Sequence, residues 1–136
     1  MAFKPAVNRN AIWLVRRNVA GTLPIGRGVR LTGAVGADDI AMVAAPLGAD
    51  GAISGVIYET SPDDVNAGQM LQAGISNVQI RIGSASVSFG DSLNIQDNTG
   101  VWQTAPAGAQ NVYYYALQNA AAGALCWAAP VGSRPR

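Results

Sequence analysis

Short apolar runs separated by glycine-containing turns recur along most of the chain. Nine such runs of four to nine residues follow the first segment: GVRLT, IAMVAA, AISGVIYET, NVQIRIG, ASVSFG, SLNIQ, VWQT, NVYYYAL and ALCWAA. Short runs at regular spacing, bounded by turn residues, are typical of sandwiches and barrels. The pattern therefore predicts an all-β fold, as a single small β-barrel or sandwich domain.

Alternation of apolar and polar residues supports this prediction and indicates which side chains face the core. In NVQIRIG, Val78, Ile80 and Ile82 share one face of the predicted strand. In ASVSFG, Val87 and Phe89 share a face in the same way. Successive side chains of a strand point to opposite faces. We therefore expect all five of these side chains to be buried.

Turn residues stand where hairpins would need them. Asp50-Gly51, Gly90-Asp91 and the segment from Asp97 to Gly100 each separate two apolar runs, and these residue types favour tight turns. The segment SPDDVNAGQMLQAG begins with residues that favour a helix start. We expect one helical turn there, followed by a strand.

The run NVYYYAL departs from alternation, because both of its faces are apolar or aromatic. Tyr114 would face one side and Tyr113 and Tyr115 the other. Tyrosine is enriched at protein interfaces, where its ring is buried and its hydroxyl finds a hydrogen bond. We therefore predict a subunit interface at Tyr113, Tyr114 and Tyr115. The alternative is a central strand covered on both sides by its own chain.

Charge is scarce and unevenly distributed. Only 12% of the residues are charged, about half of the roughly 25% usual in soluble domains. Residues 1–37 carry +6, residues 38–133 carry −7, and Arg134 and Arg136 bring the formal total to +1. A surface with so little charge suggests that other protein covers much of it, and the basic front suggests an acidic partner.

The sequence offers no catalytic, cofactor or metal site. Histidine is absent, which removes the commonest metal ligand and general base. Cys126 lies in an apolar run and is expected to be a core residue. GRGVRL lacks the third glycine of a dinucleotide fingerprint, so its glycines are expected to shape a turn before a strand. The run AAAGALCWAAPVG has 13 residues, short of the roughly 20 that span a bilayer. Neither a small-molecule substrate nor a membrane is expected as a partner.

Two other classes of function stay open at this stage. Six basic residues with Phe3 and Trp13 in the first 37 positions could follow phosphates and stack on bases, as in a nucleic-acid-binding β-barrel. The acidic remainder and the absence of any recognition motif argue against nucleic acid as a partner. The third class is a carbohydrate enzyme using Glu59 and a distant aspartate, or a sugar-binding domain.

From about Ala20 to Gly132 the chain resembles the small capsid decoration, or cement, proteins of tailed bacteriophages. The segments that carry the resemblance are AGTLPIGRGVRLTG, GAISGVIYE, ASVSFGDSLNIQDNTGVWQTAPAG and YYALQNAAAGALCWAAPVG. The resemblance implies an oligomeric β-barrel, such as a homotrimer, on the outer capsid surface of a virion assembled in a bacterial cytoplasm. It also implies that the major capsid protein is the partner and that the domain has no enzymatic activity.

This resemblance suggests a role for the basic front. We expect an N-terminal arm over residues 1–19, a β-barrel decoration domain over 20–133 and a basic tail over 134–136. The arm would add a strand to an exposed sheet edge of the capsid. The residues predicted to bind the capsid are Arg9, Ile12, Trp13, Leu14, Arg16 and Arg17. The alternative is that this stretch packs on its own domain as a helix or a first strand.

Overall fold

A computed structural model describes residues 12–17, 23–35, 39, 41–59, 69–72 and 77–131 of the chain. Within these residues the chain forms ten β-strands. They are β1 (Ile12–Arg17), β2 (Gly28–Val35), β3 (Ala41–Ala44), β4 (Gly55–Glu59), β5 (Gln69–Gln72), β6 (Val78–Arg81), β7 (Ser92–Ile95), β8 (Trp102–Thr104), β9 (Tyr114–Ala116) and β10 (Leu125–Pro130). The all-β fold class is confirmed.

The first five strands pair in a closed order. Neighbours follow the sequence β1-β3-β2-β4-β5, and β5 pairs back onto β1 in antiparallel register, with Leu14 opposite Met70. The pairing of β1 with β3 is parallel, with Arg16 opposite Met42. Each of these strands therefore has a partner on both sides.

The last five strands form a second sheet of order β6-β10-β9-β7-β8. Its edge strands are β6 and β8, and a parallel bridge joins Ile82, just after β6, to Trp102 in β8. The main-chain N–H of Gly83 donates to the carbonyl of Trp102 at 2.8 Å. The two edges of this sheet therefore meet at one end.

Strand β4 separates two apolar cores, because both of its faces are buried. Val56 packs with the side chains of the second sheet, whereas Ile57 packs with Leu23, Val29 and Val43 inside the first five strands. Both residues are fully buried. A β-strand shows its two faces in alternation, so adjacent apolar residues at this point join the two sheets into one folded unit.

The larger core fills the second sheet around Trp102. Its ring packs edge to face against Tyr114, with the ring centroids 5.3 Å apart and the planes at 84°. Val78, Ile80 and Ile82 are buried there as predicted. Cys126 is also buried in this core, and burial raises the pKa of its thiol. Its prediction as a core residue is confirmed.

One of the predicted runs does not form a strand. In ASVSFG, Val87 is buried and forms an isolated bridge to Ala120, but Phe89 is 69% exposed. The chain turns at Phe89 and Gly90, where Gly90 has a φ of 89°. The prediction that Phe89 faces the core is wrong, because alternation holds only while the backbone stays extended.

The predicted turns lie where the glycines and aspartates indicated. Gly100 has a φ of 85° and its N–H donates to the carbonyl of Asp97, which closes the β7–β8 hairpin. Asp50 also has a positive φ, of 54°. The strand expected at the end of SPDDVNAGQMLQAG is β5, whereas the helical turn expected before it lies outside the described residues.

Candidate functional site

The residues predicted to form a capsid-binding arm lie mainly in β1. The backbone of Ile12–Arg17 pairs with β3 and β5 of its own chain. This pairing matches the alternative interpretation, a first strand of the domain, and departs from an arm over residues 1–19 that adds a strand to the capsid. Arg9 lies outside the described residues. A capsid-binding role for the side chains of this stretch stays a prediction.

The three tyrosines of NVYYYAL occupy different environments. Tyr114 is 1% exposed in the core of its own chain, and this burial raises the pKa of its hydroxyl. It is therefore not available to a neighbouring subunit, which corrects its prediction as an interface residue. The Tyr113 hydroxyl accepts a hydrogen bond from the Ile53 N–H at 3.1 Å. Tyr115 is half-buried, and its interface role stays a prediction.

A concave surface with polar side chains lies where the two edges of the second sheet meet. We call it the arginine groove. It has a volume of about 510 Å³ and is lined by Pro24, Arg27, Arg81, Ile82, Gly83, Ser84, Gln96, Val101 and Gly123. Its residues come from the turn before β2, the end of β6, the β7–β8 hairpin and the loop before β10.

Main-chain hydrogen bonds hold the walls of the arginine groove together. The N–H of Arg81 donates to the carbonyl of Gly26 at 3.0 Å, and the N–H of Gly28 donates to the carbonyl of Gly100 at 2.8 Å. A Cβ at Gly26 would lie 2.8 Å from the Arg81 nitrogen, and φ at Gly26 is 90°. This position therefore needs glycine, both for its backbone conformation and for the close approach of β6.

Two guanidinium groups line the arginine groove, and each is held by a carbonyl oxygen. Arg27 Nη1 donates to the Thr99 carbonyl at 2.9 Å, and Arg81 Nη1 donates to the Gly123 carbonyl at 2.9 Å. A guanidinium carries five N–H donors in a fixed plane. Each side chain is thus oriented by one bond and keeps further donors for an anion.

A glutamine and a serine complete the polar lining. The Gln96 side-chain oxygen accepts hydrogen bonds from the main-chain N–H of Ser84 at 2.9 Å and from its hydroxyl at 3.3 Å. Gln96 Nε2 in turn donates to Asp97 at 3.3 Å. Hydrogen bonds from Thr99 are the main cause that lowers the pKa of Asp97, and Arg27 contributes through its charge. This carboxylate is therefore already engaged within its turn.

A second concave surface is mainly apolar. We call it the leucine patch, and it is lined by Arg30, Leu31, Leu47, Ala52, Ile53 and Ser54. Leu47 is 81% exposed and Leu31 is 39% exposed. The Nε of Arg30 donates to the Ala45 carbonyl at 3.0 Å, and this hydrogen bond orients the guanidinium at the edge of the patch. Exposed leucines beside a concavity of this kind are typical of interaction surfaces.

An aromatic side chain marks the outer face of the second sheet. Trp127 in β10 is 47% exposed and lies opposite Gln79 of β6 in the antiparallel register. Its neighbours Cys126 and Ala128 point into the core. The alternation of β10 therefore places this indole on the surface.

Sequence reasoning identified neither concave surface. Arg81 had a usable signal, since it is the single cation of residues 38–133 and stands on the polar face of a predicted strand. Arg27 was noticed only as part of GRGVRL, whose glycines do shape a turn before β2 as predicted. Nothing in the sequence indicated that these two arginines line one groove.

Asp50 and Asp91 stabilise turns and loops through hydrogen bonds that their carboxylates accept. Asp50 accepts hydrogen bonds from the N–H groups of Gln110 and Asn111 at 2.9 and 3.0 Å, and from the Asn94 amide at 3.1 Å. These bonds lower the pKa of the Asp50 carboxyl, the one from Gln110 most. Asp91 accepts from the Ser88 N–H and from the Thr104 hydroxyl, both at 2.9 Å.

No group of three or more histidine, cysteine, aspartate or glutamate side chains among the described residues is arranged to hold a metal ion. No helix in the described part of the chain is long and apolar enough to cross a bilayer.

The fold is similar to a solved phage structure. The chain aligns with the N base of the head fiber protein gp8.5 of bacteriophage phi29 with a TM-score of 0.55 and 19% sequence identity. The alignment covers 92% of this chain and 97% of that chain. No family model and no curated protein matches the sequence. At this level of identity the similarity shows a shared fold.

Proposed function

We propose that this protein is a structural component of a tailed-phage virion that sits on the outside of the capsid. The observation that carries the proposal is the similarity of fold to the base of a phage head fiber, because it extends over nearly the whole of both chains. Resemblance of the sequence to capsid decoration proteins, read from glycine turns and alternating strands, points independently to the same part of a virion.

The surface of the described residues suits a protein whose partner is another protein. The leucine patch places Leu47, at 81% exposure, and Leu31 beside a concavity. Burial of apolar surface favours protein association, and exposed apolar patches mark interaction sites. We propose that the leucine patch contacts the major capsid protein.

The finer proposal is that the protein cements adjacent capsomers. A subunit that contacts two capsomers opposes their separation under the outward pressure of packaged DNA. If the protein is a homotrimer, three weak contacts act together, and linking binding sites can raise the overall affinity by roughly 10² to 10⁴ when all of them engage. Tyr115 and Trp127, on the second sheet, are the aromatic side chains that we propose for contacts between subunits.

Charge among the described residues favours protein over nucleic acid as the partner. The described residues include five arginines (Arg16, Arg17, Arg27, Arg30 and Arg81) and five acidic residues (Asp39, Asp50, Glu59, Asp91 and Asp97). Proteins that bind nucleic acid through phosphates need a clustered excess of cations. The described part of the domain has no such excess.

Co-sedimentation tests the proposed function. Purified protein is mixed with expanded capsids of its phage that lack decoration, beside a duplex DNA control, at low and at physiological salt. We expect saturable, stoichiometric binding to capsids that persists at physiological salt, and no binding to the DNA. Binding to DNA alone would overturn the proposal and assign the basic residues to phosphates.

A further inference from the structure

The structure describes the side chains of three arginines, and each is oriented by a main-chain carbonyl. Arg27 bonds to Thr99, Arg30 to Ala45 and Arg81 to Gly123, each through one nitrogen at 2.9–3.0 Å. Among the described residues no carboxylate lies within ion-pair distance of Arg81 in this structure, and its bond to Gly123 is exposed. These cations therefore keep most of their capacity to bind an anion.

Three of the aspartate carboxylates already accept hydrogen bonds from other groups of the chain. The carboxylates of Asp91 and Asp97 accept hydrogen bonds from N–H groups of their own turns, and the Asp50 carboxylate accepts them from the N–H groups of Gln110 and Asn111 in a distant loop. A carboxylate that already accepts hydrogen bonds must give them up before it binds an arginine, and their loss costs free energy. The charge of Arg27 does act on Asp97, but the hydrogen bonds of this carboxylate come from Thr99 and Gln96 and not from an arginine.

Two of the three arginines meet in the arginine groove. Arg27 comes from the turn before β2 and Arg81 from the end of β6, and none of the residues that line the groove is an aspartate or a glutamate. The buried Nε of Arg27 has no hydrogen-bond partner among the described residues. Two guanidiniums around one concavity without a lining carboxylate form a site complementary to negative charge.

The remaining lining indicates what kind of anion fits. Pro24, Ile82 and Val101 contribute apolar surface, whereas Ser84 and Gln96 contribute polar groups. A peptide presents carboxylates on an aliphatic stem next to main-chain amides, and it can use both kinds of lining. A nucleic-acid strand instead presents a row of phosphates and needs a longer track of cations than two arginines.

We infer that the arginine groove binds an acidic peptide segment of the capsid protein, whose aspartate or glutamate carboxylates accept hydrogen bonds from Arg27 and Arg81. This inference rests on the proposed function and adds the chemistry of the partner to it. The charge-assisted bonds fix the register of the contact, while the apolar lining takes up the stems of the acidic side chains.

The first test compares matched arginine variants in the capsid co-sedimentation assay. Arg27→Gln and Arg81→Gln remove charges inside the groove. Ala107→Glu is the control, because it lowers the net charge by the same amount at an exposed residue that lines neither the arginine groove nor the leucine patch. We expect the dissociation constant to rise roughly tenfold or more for each groove variant and less than about twofold for the control.

The pattern across these variants decides the inference separately from the proposed function. If the wild-type protein binds capsids and the groove variants bind equally well, the inference is wrong and the proposed function stands. An equal loss in Ala107→Glu would also overturn the inference, because the effect would then be one of overall charge. If the wild-type protein does not bind capsids, the proposed function itself fails.

The second test needs no substitution and so does not depend on the folding of a variant. The ¹⁵N-labelled full chain is titrated with an acetylated, amidated pentaglutamate peptide, with pentaglutamine as the control and a short DNA duplex as a third probe. We expect pentaglutamate to shift the amide signals of Gly83, Ser84 and Gly123. Shifts from pentaglutamine of the same size, shifts from DNA alone, or shifts confined to other surfaces would contradict the inference.

Discussion

At the scale of single residues, identical side chains differ in effect because the fold gives them different surroundings. Leu93 is fully buried in the core of the second sheet, whereas Leu47 is 81% exposed in the leucine patch. The exposure of Leu47 has no explanation in the stability of the described fold. A surface position that keeps a large apolar side chain suggests a partner that covers it.

Leu93→Ala and Leu47→Ala should therefore separate stability from binding. We expect Leu93→Ala to lower the free energy of unfolding by about 3 kcal/mol, because it opens a cavity in a packed core. Leu47→Ala should change it by less than about 0.5 kcal/mol. Urea unfolding followed by tryptophan fluorescence measures both. Equal losses for the two variants would show that Leu47 is packed within the fold.

Asp50 makes stability depend on pH. Its carboxylate accepts three hydrogen bonds, and the pKa of this carboxyl is lower in the folded protein than its ordinary value. The contribution of Asp50 is thus fully present above about pH 4, the ordinary aspartate pKa, and is lost as the pH falls through the lower folded value.

In Asp50→Asn, an NH₂ group replaces one acceptor oxygen, so we expect a lower thermal midpoint than wild type at neutral pH. The difference between the two proteins should narrow as the pH is lowered from about 5 to about 2. Asp39→Asn is the matched control, since Asp39 also has a positive φ, of 64°, but is exposed. A difference that stays constant over this range would show that the charge of Asp50 contributes nothing.

At the scale of elements, the β7–β8 hairpin is fitted against β2. A Cβ at Gly100 would lie 2.5 Å from the Gly28 carbonyl oxygen, whereas a Cβ at Gly108 would meet nothing within 4 Å. Both glycines have a positive φ, of 85° and 88°. The two positions therefore differ in their packing and share their backbone conformation.

Alanine at these two glycines should separate backbone strain from packing. We expect Gly108→Ala to cost about 1 kcal/mol, from its left-handed backbone alone. Gly100→Ala should cost about 3 kcal/mol, because the hairpin must also shift away from β2. Urea unfolding of both variants gives the comparison. Equal costs would show that the hairpin and β2 do not approach each other as described.

Strand β1 raises a different question, namely whether residues 12–17 belong to the domain or to a partner. Its backbone pairs with both β3 and β5. A truncation that removes residues 1–17 would leave β3 and β5 each with one neighbouring strand instead of two. One that removes residues 1–11 would keep the pairing.

We expect the longer truncation to have a thermal midpoint lower by roughly 5 °C or more than the shorter one. Differential scanning calorimetry of the two truncated proteins makes this comparison without capsids. Equal midpoints would contradict the pairing of β1 within the domain, and would return support to an arm that binds the capsid.

The sequence predicted the strands well because the signals for strands and turns are local. Alternation marked Val78, Ile80 and Ile82 as core residues, and Asp97 to Gly100 marked a hairpin. The partners of each strand are not local information, so the closed order of the first five strands was not predictable. Phe89 shows the same limit, because the chain turns at Phe89 and Gly90 and the alternation of buried and exposed side chains ends there.

The two candidate surfaces were still harder to predict, because each combines residues that are far apart in the sequence. The arginine groove combines residues from four separate segments, and the sequence contains no motif that links Arg27 to Arg81. Tyr114 was predicted at an interface because tyrosine is common there, but its ring fills the core beside Trp102. Composition led to the prediction of a partner, whereas the candidate contact surfaces for it became visible only in the packed structure.

At the scale of the whole molecule, β4 of the first sheet packs against the second sheet, and the two sheets together carry two different surfaces. Val56 and Ile57 bury the two faces of this strand in the two cores. Both surfaces include residues near β2. Arg30 and Leu31 of β2 line the leucine patch, and Arg27 just before β2 lines the arginine groove. A rigid support with one apolar and one charged contact surface fits a protein that holds two neighbouring molecules in fixed positions.

The most direct test of binding to the outer capsid surface is a cryo-electron microscopy difference map. Expanded, decoration-free capsids are imaged with and without the protein at saturation. We predict additional density on the outside of the shell, at the boundaries between capsomers, with the arginine groove and the leucine patch facing the capsid protein. Density on the inner surface of the shell, or maps without a difference, would contradict the account.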